Sequence, residues 1–122
     1  MDITNILKAK EGIEKAMGDV LRILGLYRRL WLSEIYMEIE GMNSTLKESV
    51  PSYNDVKNAV RELGDRGYVQ VEKGYRGSLL HTNGVEDYLV TLNESTEVID
   101  TLYSDRKLLE YTRIKHSLFK SK

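Results

Sequence analysis

Tyr53, Asn54, Lys57, Asn58 and Arg61 are hydrogen-bonding or cationic side chains set three or four positions apart in two overlapping rows. On a helix that spacing gathers them on one side. Lys73, Tyr75 and Arg76 follow, interleaved with Gly74 and Gly77 in what reads as a turn. Such groups can grip a polyanion; they do not make or break bonds. The side chains that catalysis would need are missing or scattered. There is no cysteine, and His81 and His116 stand far apart without metal-ligand spacing. No phosphate-binding loop or nucleophile elbow occurs, and the glycines at 74 and 77 lead into a strand, not a helix N-terminus. The expectation is a binding protein with no enzymatic activity, no metal and no cofactor.

The elements that position these residues are legible from local signals. Residues 52–64 read as a helix. Ser52 is its N-cap, with Asp55 three residues on, and Val56, Val60 and Leu63 form a buried stripe beside Ala59. Gly67 is placed to end it in a left-handed conformation. Residues 68–72 alternate with period two and predict a half-buried strand, 73–77 a turn, and 78–81 the returning strand. Upstream, 4–26 reads as a helix with a break or bend near Gly12. Residues 30–32 read as a short strand, and Ser33 as the cap of a second helix with Ile35, Met37 and Ile39 among its apolar positions. Residues 41–50 read as an irregular connection closed by Pro51. From Gly84 onward the expectation is helix, interrupted near 93–95.

The whole chain sets bounds on these readings. At 122 residues it is long enough for one independent core. Its 30% charged and 41% apolar residues fit a folded globular chain. No apolar run approaches a membrane span, and the first residues lack the apolar core of a signal peptide, so an intracellular, cytoplasmic protein without membrane contact is expected. The net charge of −1 favours neither nucleic acid nor membrane.

The order helix, short strand, helix, helix, hairpin, helix resembles the winged helix-turn-helix domain of bacterial and archaeal transcription regulators of the PadR and MarR types. Four segments carry the resemblance, which covers residues 16–92. Leu32-Ser33-Glu34-Ile35 is similar to the start of the family's second helix. Leu63-Gly64-Asp65-Arg66-Gly67-Tyr68-Val69 resembles the end of its recognition helix, residues 73–77 sit where the wing belongs, and Leu80-His81-Thr82-Asn83-Gly84 resembles the start of its last helix. His81 stands where the family usually has threonine, and the connection over 40–51 is longer than a tight helix-turn-helix turn. The resemblance implies a mainly α fold with a small β-hairpin (α+β), a winged helix with helical extensions at 1–15 and 93–122.

It also implies double-stranded DNA as the partner, with helix 52–64 in the major groove. Asn54, Asn58 and Arg61 would then read base edges, since asparagine can bridge two atoms of adenine and arginine two of guanine. Tyr53 and Lys57 would contact phosphate, and the wing's Lys73, Tyr75 and Arg76 the backbone or minor groove. The alternative is a winged helix used for protein contacts in a macromolecular assembly. From 52 to 78 five basic residues face four acidic ones, which is weak for phosphate binding and favours action as a homodimer. Arg28 and Arg29 are either further backbone contacts or partners of nearby glutamates. A small-molecule effector is compatible with this reading, although no residue identifies one.

The C-terminal charges are strongly polarised. Residues 83–105 hold six acids and no Lys or Arg; residues 106–122 hold six bases and only Glu110 as an acid. Antiparallel pairing of this helix with its copy would match acidic to basic halves, with Ile99, Leu102, Leu109, Ile114 and Leu118 as an apolar seam. Packing of the same helix on the N-terminal extension is the competing expectation.

Overall fold

The computed structural model describes residues 3–77 and 84–120, with side chains as far as 117. Among them are six helices and a three-stranded antiparallel sheet, an α+β architecture. In chain order the elements are α1 (Ile3–Lys8), α2 (Gly12–Tyr27), β1 (Arg29–Trp31), α3 (Leu32–Thr45), α4 (Tyr53–Asp65), β2 (Val69–Arg76), β3 (Val85–Leu92), α5 (Thr96–Tyr103) and α6 (Arg106–Lys120).

Helix α2 is the centre of the molecule. Every residue from position 15 to 24 is buried, the signature of a helix packed on all sides. Ala16, Met17, Val20, Leu21 and Leu24 share one core with Ile35, Ile39 and Met42 of α3, Val56, Val60 and Leu63 of α4, and Val90 and Leu92 of β3. Ile3 and Ile6 of α1, Val98 and Leu102 of α5, and Leu108 and Tyr111 of α6 belong to that same core. The segments expected as extensions are therefore part of the central packing. The chain does break before Gly12, between α1 and α2.

The sheet order is β1-β3-β2, so β3 is the middle strand. Leu30 of β1 pairs with Val90, and Val71 of β2 pairs with the same residue from the other side. The helix expected from Gly84 is thus corrected to a strand. Val85, Tyr88, Val90 and Thr91 have strand-favouring side chains, and Val90 and Leu92 bury at period two against the helices. Helix resumes only at Thr96, where Ser95 Oγ accepts from the Val98 N–H at 3.2 Å. The similarity of residues 80–84 to a helix start fails for the same reason at Gly84; residues 80–83 lie outside the described residues, as does the expected strand 78–81.

Four further boundaries differ. Residues 73–76 form no turn: they extend β2, with Lys73 opposite Tyr88 and Arg76 opposite Val85. Ser33 does not cap α3. The cap position is Trp31, whose N–H donates to Glu34 Oε1 at 3.0 Å, and Ser33 lies inside the first turn. That helix also runs through 41–45, where burial of Met42 and Asn43 outweighs the polar composition. Finally, the C-terminal helix is two helices, α5 and α6, divided at 104–105.

Candidate nucleic-acid interface

Helix α4 forms as its local signals require. Ser52 Oγ accepts from the Asp55 N–H at 3.1 Å, satisfying one of the free donors at the helix start. At the other end Gly67 takes φ +83°, and the Tyr68 N–H reaches back to the Leu63 carbonyl at 2.9 Å while the Gly67 N–H reaches Gly64 at 3.1 Å. This paired closure needs a left-handed residue, which glycine supplies without a Cβ penalty. Val56, Ala59, Val60 and Leu63 face the core. Tyr53, Asn54, Asn58 and Arg61 are exposed, and Lys57 is half-buried.

Lys57 and Arg61 border a groove of about 790 Å³ between α4 and the hairpin. Its opposite wall is Gln70, Val71 and Glu72 of β2 with Tyr88 of β3. Of these, Tyr88 and Glu72 were not expected at such a site. Neither Lys57 nor Arg61 forms an ion pair with a described residue. Tyr53, at the start of α4, packs its ring edge-on to Tyr36 with centroids 5.5 Å apart. Burial, and secondarily the Asp87 carboxylate, push its hydroxyl above the ordinary tyrosine value, so it remains a proton donor at neutral pH.

Pairing sorts the hairpin cations. Strand alternation puts Lys73 and Tyr75 on one face of the hairpin, and Gly74 and Arg76 on the other, where the Trp31 ring covers Gly74. Lys73 meets Glu86 at 3.4 Å with both side chains about half exposed or more. A bridge of that kind contributes roughly 0–1 kcal/mol, so a competing phosphate can displace Glu86. Arg76 Nε instead bonds Asp87 Oδ2 at 2.9 Å. Asp87 is buried, and the same carboxylate oxygen accepts from Ser33 Oγ at 2.5 Å. Releasing Arg76 would strand a buried charge at several times the cost of a surface pair. Lys73 and Tyr75 are therefore free to serve a partner, and Arg76 is held by the fold. Arg28 and Arg29 pair with Glu94 (3.1 Å) and Glu72 (3.9 Å).

The C-terminal seam divides in the same way. Leu102 is 1% exposed within a single chain and Ile99 packs against the core, so Leu102 is corrected from an interface residue to a core one. Leu109 is exposed and Ile114 half-buried, while the Leu118 side chain lies outside the described residues.

A second polar cluster was not foreseen. Lys15, Asp19 and Arg22 form one buried stripe of α2. The Asp19 carboxylate accepts from Lys15 Nζ (3.1 Å), Arg22 Nη1 (2.9 Å), Asn43 Nδ2 (2.9 Å) and Lys107 Nζ (2.8 Å). Arg22 Nε also donates to Asp105 Oδ2 at 2.7 Å, and Lys107 Nζ to Glu48 Oε1 at 2.9 Å. Burial pushes the Asp19 carboxyl up, but the charge and hydrogen bond of Lys107, with Asn43 and Lys15, outweigh it and hold it below its ordinary value. Part of the polarised C-terminal charge thus serves α2 of the same chain.

Among the described residues, no helix is long and apolar enough to cross a membrane, and no cluster of three metal-ligating side chains occurs. Comparison with protein-family models, with curated proteins and with solved structures returned no match.

Proposed function

We propose that this chain is a cytoplasmic winged-helix transcription regulator that binds double-stranded DNA sequence-specifically as a homodimer. The observation that carries the reading is the convergence, beside one groove, of Lys57 and Arg61 of α4, which form no ion pair with a described residue, with the β2–β3 hairpin. The element order and the β1-β3-β2 sheet support it, since a winged helix needs that connectivity. In this reading α4 enters the major groove. Asn54, Asn58 and Arg61 read base edges, Tyr53 and Lys57 hold phosphates, and Lys73 and Tyr75 extend the contact along the backbone. The activity is binding, with no catalytic step.

Two copies are part of the proposal because one copy offers only Lys57, Arg61 and a displaceable Lys73. Among the described side chains of the expected α6 seam, exposed Leu109 and half-buried Ile114 are the apolar positions left for pairing. Four cationic phosphate contacts, Lys57 and Lys73 in each of two copies, give a slope of about −4 in log K against log salt, and removing Lys57 and Arg61 from both leaves about −2. The test is fluorescence anisotropy with a pool of random duplexes over a salt series, on wild type and on Lys57→Ala/Arg61→Ala. An equal slope for both proteins would refute the assignment of these two cations. The pairing of wing cations with Glu86 and Asp87 favours a second reading, a winged helix that docks on another protein. Absence of duplex binding even at low salt would select it.

A further inference from the structure

A second concave space lies away from α4. It is a groove of about 1170 Å³ between the end of α1, the α3–α4 connection at Glu48 and Ser49, and the α5–α6 junction. Six cations line it: Lys8, Lys10, Lys15, Arg22, Arg106 and Lys107. The carboxylates are Glu48, Asp100 and Asp105 on its walls, with Asp19 beneath. The sum is +2.

Donor accounting divides the cations into a floor and a rim. Lys107 spends its three N–H groups on Asp19, Asn43 and Glu48. Lys15 spends its own on Asp19, Asn43 and the Ser49 carbonyl. Arg22 is held by Asp19, Asp105 and the Leu7 carbonyl. These three cations balance Asp19, Asp105 and Glu48, so the floor is neutral and rigid. Lys8, Lys10 and Arg106 are exposed and form no ion pair with a described residue. Among the described lining residues only Asp100 stands against them, and it forms no ion pair with a described residue.

We infer that this groove is a binding site for a phosphorylated small molecule of about nucleotide size, held by Lys8, Lys10 and Arg106. The excess of +2 matches a phosphate monoester, which carries about −1.5 to −2 at neutral pH. Arg106 offers the planar fork that suits two phosphate oxygens, and the lysines offer point charges. The space exceeds what one oxyanion fills and is slightly larger than the roughly 300–1,000 Å³ of organic-ligand sites, so it has room for such a ligand. Leu7 and Ala9 give the organic portion an apolar wall. This inference is independent of the duplex reading.

The test is isothermal titration calorimetry at low salt with AMP, glucose 6-phosphate, inorganic phosphate and adenosine as probes. The proteins are wild type and Lys8→Gln/Lys10→Gln/Arg106→Gln, a variant that leaves the floor intact and whose fold is checked by circular dichroism. At least one ester should bind more tightly than inorganic phosphate, adenosine should not bind, and the triple variant should lose tenfold or more in affinity. Failure of both esters on the folded wild type overturns the site. So does unchanged ester binding in the variant. Equal binding of inorganic phosphate and the esters reduces it to an oxyanion site and overturns the organic ligand. Joint loss of ester and duplex binding in the variant assigns these cations to the duplex face instead.

Discussion

Replacing Asp19 with asparagine tests the arrangement on which the rest of the fold hangs. The substitution keeps the shape and removes the charge. Four donors converge on this carboxylate at 2.8–3.1 Å, three of them cationic. In Asp19→Asn an amide N–H₂ must face donors, and three cations share only Asp105 and Glu48. Breaking a buried charge pair from one side costs about 3–5 kcal/mol. That is a large share of the roughly 5–15 kcal/mol that holds a domain together. For a chain of this length about 4 °C is lost per kcal/mol, so thermal unfolding should fall by about 12–20 °C. The double variant Asp19→Asn/Lys107→Met restores charge balance, and its loss should be smaller than the sum of the single losses. The pH dependence supplies a second reading. The Asp19 carboxyl lies below its ordinary 3.8 in the folded protein. Its contribution is therefore complete above that value and disappears as pH falls through the lower, folded one. Asp19→Asn should flatten the acid limb of the stability profile below about pH 4. Thermal melts followed by circular dichroism read all three effects. A loss under about 4 °C, or strictly additive single variants, would refute the claim that the stripe acts as one charged unit.

Two other outcomes follow from local geometry. Ser52→Ala removes the acceptor for the Asp55 N–H and should cost about 1 kcal/mol in chemical denaturation, with a matching weakening of duplex binding if α4 reads DNA. Gly84→Ala places a Cβ at 2.8 Å from the Arg76 carbonyl oxygen at a residue with φ +81°. It should disorder the outer hairpin, seen as faster amide exchange at 74–76 and 85–87, while the core melts within a few degrees of wild type.

How much of this was legible in the sequence depends on where each decisive partner lies. Helix α4 was readable because its cap, stripe and glycine stop lie within sixteen positions of one another. Strand β3 was not. Its conformation is set by Arg29–Trp31 on one side and β2 on the other, and the Asn83-Gly84 pair mimicked a helix start. That error also hid Glu86 and Asp87 from the hairpin, where they pair with Lys73 and Arg76. Lys15, Asp19 and Arg22 have the spacing of a solvated helix face. The partners that receive that face inside the fold are distant in sequence: Asn43 and Lys107, 24 and 88 positions from Asp19, and Asp105, 83 positions from Arg22. The C-terminal charge block was visible as a pattern, but Asp105 and Lys107 use it within the chain rather than between copies.

The dependence of α2 on α6 bears on how the chain folds during synthesis. Until Asp105 and Lys107 have left the ribosome, the central helix carries Lys15, Asp19 and Arg22 without two of the charged partners that balance and cover them. Local units such as α4 and the β2–β3 hairpin can form earlier, but the core cannot close around α2. A nascent chain arrested before residue 105 should therefore stay open to protease, and consolidation should come late and in a single step.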